Sequence, residues 1–215
     1  MVLHYIFIMG ICVEAITGAI AAGRKKMDFF GVIVIACLTG LGGGTVRDVL
    51  FNTHPLTWVA NPQYLLYTAS CALMTIFIAS SLTRIMKLFL ILDALGLSAF
   101  VIIGTQKILA HGLTPATAVV GGMVTGVCGG MLRDILCNDI PLVLRKELYA
   151  VIALAGALLY VTLDQLNVPL NINILVTLVS IFTSRLFAIF FHIEMPKFDY
   201  ADSLNKRKKP NKKGA

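Results

Sequence analysis

The sequence predicts an all-α integral membrane protein: seven transmembrane helices, arranged as two inverted three-helix repeats plus a seventh helix. Three observations carry this expectation. Of the 215 residues, 58% are hydrophobic and 13% charged, whereas a soluble domain carries about a quarter charged residues. The apolar residues fall into runs of near the roughly twenty residues that cross a bilayer as a helix. Residues 36–55, ACLTGLGGGTVRDVLFNTHP, match residues 122–141, GMVTGVCGGMLRDILCNDIP, at nine of twenty positions, the mark of an internal duplication.

Taken in order, the first segment covers residues 3–22. It contains Glu14 and lacks a basic stretch before it, so it is read as a retained span and not a signal peptide. Arg24, Lys25 and Lys26 follow. The second segment, 29–51, carries Gly42, Gly43 and Gly44 and then Arg47 and Asp48. Asn52 to Pro62 form a short loop whose Pro55 and Pro62 stop helices, and Trp58 and Tyr64 suit an outer interfacial belt. The third segment is 63–83, followed by Arg84 and Lys87. The fourth, 88–106, holds Asp93 as a weaker counterpart of Glu14, and its GTQK (104–107) resembles GRKK (23–26). The fifth, 114–137, carries Gly129, Gly130, Arg133 and Asp134, with Arg145 and Lys146 after it. The sixth is 147–163. Asn167, Asn171 and Asn173 mark a loop and a helix start, and the seventh segment, 170–192, contains Arg185. Residues 1–86 thus form the first repeat, 87–165 the second, 166–195 the seventh helix, and 196–215 a basic tail expected to be disordered.

Alternate connections and the tail hold 14 of the 18 basic residues. By the positive-inside rule the N-terminus is outside and the C-terminus cytoplasmic. A repeat of three spans is odd, so the second copy enters upside down, a plan common among proteins that move solutes. The net charge of +7 is then mostly topology. The tail suits anionic lipid headgroups or plain solvation, not nucleic acid.

Glycine in mid-helix costs about 1 kcal/mol relative to alanine, and freed backbone in a membrane must face protein or water. A kink or break near 42–44 and 129–130, with or without close packing, is therefore expected, with Asp48 and Asp134 opening a second half-helix at its positive end. Close packing is the competing account, because Ala36, Gly40 and Gly44, like Gly122, Gly126 and Gly130, lie four apart. Adjacent residues diverge on a helix, so Arg47, Asp48, Arg133 and Asp134 are each expected to pair across helices. Ionisable groups at membrane depth usually face a wet cavity. Arg47 lies toward the outer half and Arg133 toward the inner half, with Glu14, Asp93 and Arg185 adding charge. The candidate pore-lining set is Gly42, Gly43, Gly44, Arg47, Asp48, Gly129, Gly130, Arg133, Asp134, Glu14, Asp93 and Arg185. Cys12, Cys37, Cys71, Cys128 and Cys137 stand singly in apolar runs as small hydrophobes. His4, His54, His111 and His192 have no ligand spacing. With no nucleophile–base constellation, phosphate loop or metal cluster, neither an enzyme nor a resident metal or cofactor is expected.

The doubled GGxxRD motif, Gly43–Asp48 and Gly129–Asp134, in a 3 + 3 + 1 helix plan resembles the prokaryotic trimeric intracellular cation (TRIC) channels, a family earlier labelled glycine transporter. The resemblance covers residues 1 to about 195. It implies a homotrimer with one pore per protomer between the repeats, bent second and fifth helices, and permeation by monovalent cations, chiefly potassium. Animal members carry Lys-Glu-Val near the second motif and bind phosphoinositide there; this chain has Met131-Leu132-Arg133-Asp134 instead. Lining arginines would repel a cation, so carboxylates neutralise them, or they form the gate, or the solute is not a cation. A carrier for a glycine-like zwitterion and a membrane scaffold are the alternatives to a channel.

Overall fold

The computed structural model describes residues 2–79, 85–145 and 148–191. Arg84, Lys146, His192 and the basic tail lie outside the described residues. Among these there are helices and no strands: α1 (Val2–Arg24), α2 (Phe29–Leu50), α3 (Thr57–Ala60), α4 (Gln63–Ala79), α5 (Ile85–Ala110), α6 (Pro115–Leu136), α7 (Leu142–Arg145), α8 (Leu148–Gln165) and α9 (Leu170–Phe190). Six are long and apolar enough to cross a membrane; α4, with 17 residues, is shorter. The short helices α3 and α7 interrupt connections expected to be plain loop.

The helix ends show how closely the two halves match. Asp28 caps α2 by accepting from Gly31 N at 2.7 Å, and Thr114 caps α6 by accepting from Thr117 N at 3.2 Å. Lys26 and Gly112 take positive φ just past α1 and α5, and Asn52 and Asn138 do so past α2 and α6. Thr53 N then donates to Asp48 O at 2.9 Å and Asp139 N to Asp134 O at 2.8 Å, the bond that closes a left-handed helix stop. Every one of these pairs is 86 residues apart. Asn52 and Asn138 are identical because asparagine tolerates the left-handed region and most side chains do not. Asn52→Ala or Asn138→Ala should therefore cost about 1–2 kcal/mol, read as a lowered Tm in detergent, while Asn52→Gly and Asn138→Gly should melt like the parent.

The same spacing corrects one expectation. A Cβ on Gly18 would meet Thr39 and Ile35, and one on Gly104 would meet Thr125 and Gly121; Gly10 lies against Phe100, and Gly96 against Glu14. In this register the counterpart of Glu14 is Phe100, and that of Asp93 is Phe7. GRKK and GTQK are likewise out of register. Short, weakly similar polar stretches align by composition, whereas packing fixes the true pairing.

α2 and α6 cross in opposite directions at the centre. A Cβ on Gly129 would sit 2.5 Å from Thr39 O, and one on Gly43 would strike Thr125 O. These two contacts exchange under the 86-residue shift. Both helices run unbroken through the glycines, so the expected break and second half-helix are absent. Backbone carbonyls that stay in the helical ladder need no water, and the glycines serve to bring two backbones together.

Candidate functional site

Each GGxxRD motif ends its helix in a buried charge cluster. Arg47, Asp48 and Arg133 are at most 1% exposed and Asp134 7%. Contrary to the expectation that neighbours diverge, each arginine does bond its adjacent aspartate. Arg47 Nε and Nη2 donate to Asp48 Oδ1 at 2.9 and 2.6 Å, and Arg133 Nε donates to Asp134 Oδ1 at 2.8 Å. The arginine stem is long enough to fold back at a helix end, where the next turn no longer blocks it. Both aspartates also accept from the start of the short helix that follows. Thr57 N reaches Asp48 Oδ2 at 3.0 Å, and Leu142 N reaches Asp134 Oδ2 at 2.8 Å. The motif thus ties each long helix to its own connection.

Beyond these shared bonds the two clusters differ. Around Asp48, Thr53 and Thr57 donate hydroxyls at 2.9 and 2.8 Å, and Lys107 Nζ donates to Asp48 Oδ1 at 2.8 Å and Thr57 Oγ1 at 2.7 Å. Two cations face one carboxylate here. Lys107 is not in the pore-lining set expected from the sequence, where it stands alone at a helix end; only the fold brings it to Asp48. A narrow pocket beside Arg47 and Thr57, lined also by Phe7, Phe100 and Trp58, has room for about one water molecule. Trp58 donates to Thr45 Oγ1 at 3.1 Å. Tyr64, expected at the membrane interface, is buried and packs on Phe7 with ring centroids 4.8 Å apart.

Around Arg133, Asp93 Oδ1 accepts from Nη1 at 2.9 Å, Thr17 Oγ1 at 3.0 Å, and Glu14 Oε2 lies 3.7 Å away. Arg185 Nη2 of α9 stands 4.0 Å from Asp93 Oδ2. Its guanidinium covers Tyr149 at 4.3 Å, and that of Arg133 covers Phe89 at 4.6 Å. Three carboxylates face two cations. The structure therefore gathers Glu14, Asp93, Arg133, Asp134 and Arg185 at one end of the crossing and Arg47 and Asp48 at the other. Gly42 and Gly44 lie beside the crossing, Gly42 under Leu132 and Gly44 near Arg47, and Gly130 adjoins Arg133. Arg47 Nη1, Asp93 Oδ2, Arg133 Nη2 and Arg185 Nε and Nη2 are buried without a protein hydrogen-bond partner, a condition buried polar atoms rarely keep unless water reaches them.

Apolar helices closing around two charge clusters define a multi-pass membrane protein with ionisable side chains buried in its interior. The model of a family described as glycine transporter matches residues 4–80 and 90–165. A TRIC trimeric intracellular cation channel orthologue from Rhodobacter sphaeroides is 35% identical, with a TM-score of 0.86 over 89% of this chain and 99% of that one. The chain belongs to this family, the prokaryotic TRIC family. The UPF0126 inner membrane protein YadS of Escherichia coli is 37% identical over 92% of this chain and 97% of its own length. A UPF0126 membrane protein of Vibrio cholerae is 35% identical over 91% and 82%. A prokaryotic TRIC channel crystallised in 0.5 M KCl is 28% identical, with a TM-score of 0.84 over 91% and 99%.

Proposed function

We propose that the protein is a potassium-permeable monovalent cation channel, not an enzyme, with one pore per protomer of a homotrimer. The pore runs between two inverted three-helix repeats, residues 1–86 and 87–165, beside the seventh helix, 166–195. The single observation that carries this reading is the pair of buried arginine–aspartate clusters at opposite ends of the α2–α6 crossing, in a chain similar to solved cation channels. The pore-lining set predicted from the sequence, from Gly42 to Arg185, gains Lys107. Carboxylates at 2.6–2.9 Å from the arginines remove most of the repulsion a cation would meet. Orphaned polar atoms in both clusters support a hydrated path, while the Gly43–Gly129 contact blocks it, so this conformation is the closed one. The N-terminus is outside, the C-terminus is cytoplasmic, and the membrane is the cell inner membrane. The permeant cation is the only small ligand required; lipid is the surrounding partner, and neither nucleic acid nor a soluble protein partner is involved.

Recording from the purified protein in planar bilayers under potassium and sodium gradients tests the proposal. Stepwise unitary currents that reverse at a cation potential are expected. Their absence, together with saturable glycine uptake into liposomes, would favour the alternative, a small-zwitterion transporter. The unpartnered guanidinium atoms of Arg47 and Arg185 could bind a carboxylate and are the observation on that side. Flux of neither solute would indicate a scaffold. Lys107 bridges α5 to Asp48 and Thr57, so Lys107→Ala should weaken the closed form. A several-fold rise in open probability is expected, and unchanged gating would show that this bridge does not hold the pore shut.

A further inference from the structure

Helix α9 fills a groove on one half of the molecule, and among the described residues no helix fills the equivalent groove on the other half. Ile174 of α9 is buried in one cluster with Ile102 and Tyr160, against which Leu178, Leu3 and Ile6 also pack, and Asn173 Nδ2 donates to Tyr160 O at 3.0 Å. The 86-residue register turns Ile102, Tyr160, Leu3 and Ile6 into Ile16, Met74, Phe89 and Leu92. Ile16, Met74 and Leu92 line an apolar groove of about 390 Å³ between α1, α4 and α5. Ile20, Thr75 and Ile85 continue it into a second cavity of about 440 Å³, whose mouth includes Gly23, Arg24 and Asp28. A Cβ on Gly23 would meet nothing within 4 Å, so the described residues leave space at the mouth.

The two mouths differ in charge. Arg24 and Lys25 correspond to Ala110 and His111 beside the filled groove. Asp28 is occupied in capping α2, and Lys25 pairs with Asp139 at 2.8 Å; among the described residues that line the mouth, Arg24 is the cation. A long apolar slot at membrane depth with a fixed positive charge at its end has the polarity of a phospholipid. A second helix in the slot would have no use for the charge. We propose that the groove between α1, α4 and α5 binds an anionic phospholipid, its acyl chain along Ile16, Met74 and Leu92 and its phosphate at Arg24, in the place that α9 takes on the other half.

Native mass spectrometry of the purified protein, titrated with phosphatidylglycerol or phosphatidylcholine, tests this without any measurement of conduction, so its failure leaves the channel reading standing. Preferential retention of phosphatidylglycerol is expected. Arg24→Ala should lower that retention about fivefold, the size expected for one basic residue at a membrane surface, and leave phosphatidylcholine unchanged. Thr75→Trp, which fills the slot, should abolish it. Equal retention of the two lipids, or an Arg24→Ala variant that binds like the parent, would overturn the proposal. So would a disulfide between copies carrying Met74→Cys, since the slot would then hold a second protein chain.

Discussion

Gly43→Ala and Gly129→Ala should each prevent native packing, while Gly42→Ala, Gly44→Ala and Gly130→Ala should fold. All five glycines sit in or beside the same motif, and composition does not separate them. The crossing does. A methyl on Gly129 would lie 2.5 Å from Thr39 O, and one on Gly43 would meet Thr125 O and, at 3.1 Å, Gly129 N. Those neighbours are backbone held in helical hydrogen bonds, so relief requires the helices to separate along their length. The cost should exceed the roughly 1–3 kcal/mol of ordinary overpacking. On Gly42 the methyl meets Leu132 Cδ1 at 2.7 Å, the tip of a flexible side chain, and on Gly44 nothing closer than Arg47 Nη2 at 3.6 Å. Gly44→Ala should even gain up to about 1 kcal/mol of helix propensity. Thermal unfolding in detergent, with size-exclusion profiles, measures both classes. Parent-like melting of Gly43→Ala would mean that the backbones do not touch there.

The second large effect separates the two arginines. Removing Arg133 leaves Glu14, Asp93 and Asp134 facing one another in the interior, with Arg185 no closer than 4.0 Å to Asp93. Breaking a buried charge network in this way costs about 3–5 kcal/mol, so Arg133→Ala should lose much of its folded protein. Asp93→Asn added to it should recover part of the loss by removing one of the stranded charges. Arg47→Ala is different. Asp48 keeps Lys107 at 2.8 Å and the hydroxyls of Thr53 and Thr57, so the variant should fold and assemble while its conductance or ion preference changes. Unfolding to the same extent in both variants would show that the sequence equivalence of the motifs outweighs their different surroundings.

The sequence alone determined the membrane class, the long apolar helices, the duplicated motif and the family, because these follow from hydropathy, helical period and residue identity along one chain. It also located nearly every charged residue that the fold buries, since a charge inside an apolar run is conspicuous. It left open what the glycines do: a run of three signals a broken helix or a close contact, and only the partner helix decides which. The place of Lys107 beside Asp48 is likewise decided by the fold, since 59 residues separate them. The tertiary structure also decided that Glu14 and Asp93 pack at the same end of the crossing, where their counterparts, Phe100 and Phe7, occupy the other. Two nearly identical motifs therefore carry opposite charge balance, because burial energies depend on which neighbours the antiparallel helices bring within a few ångströms.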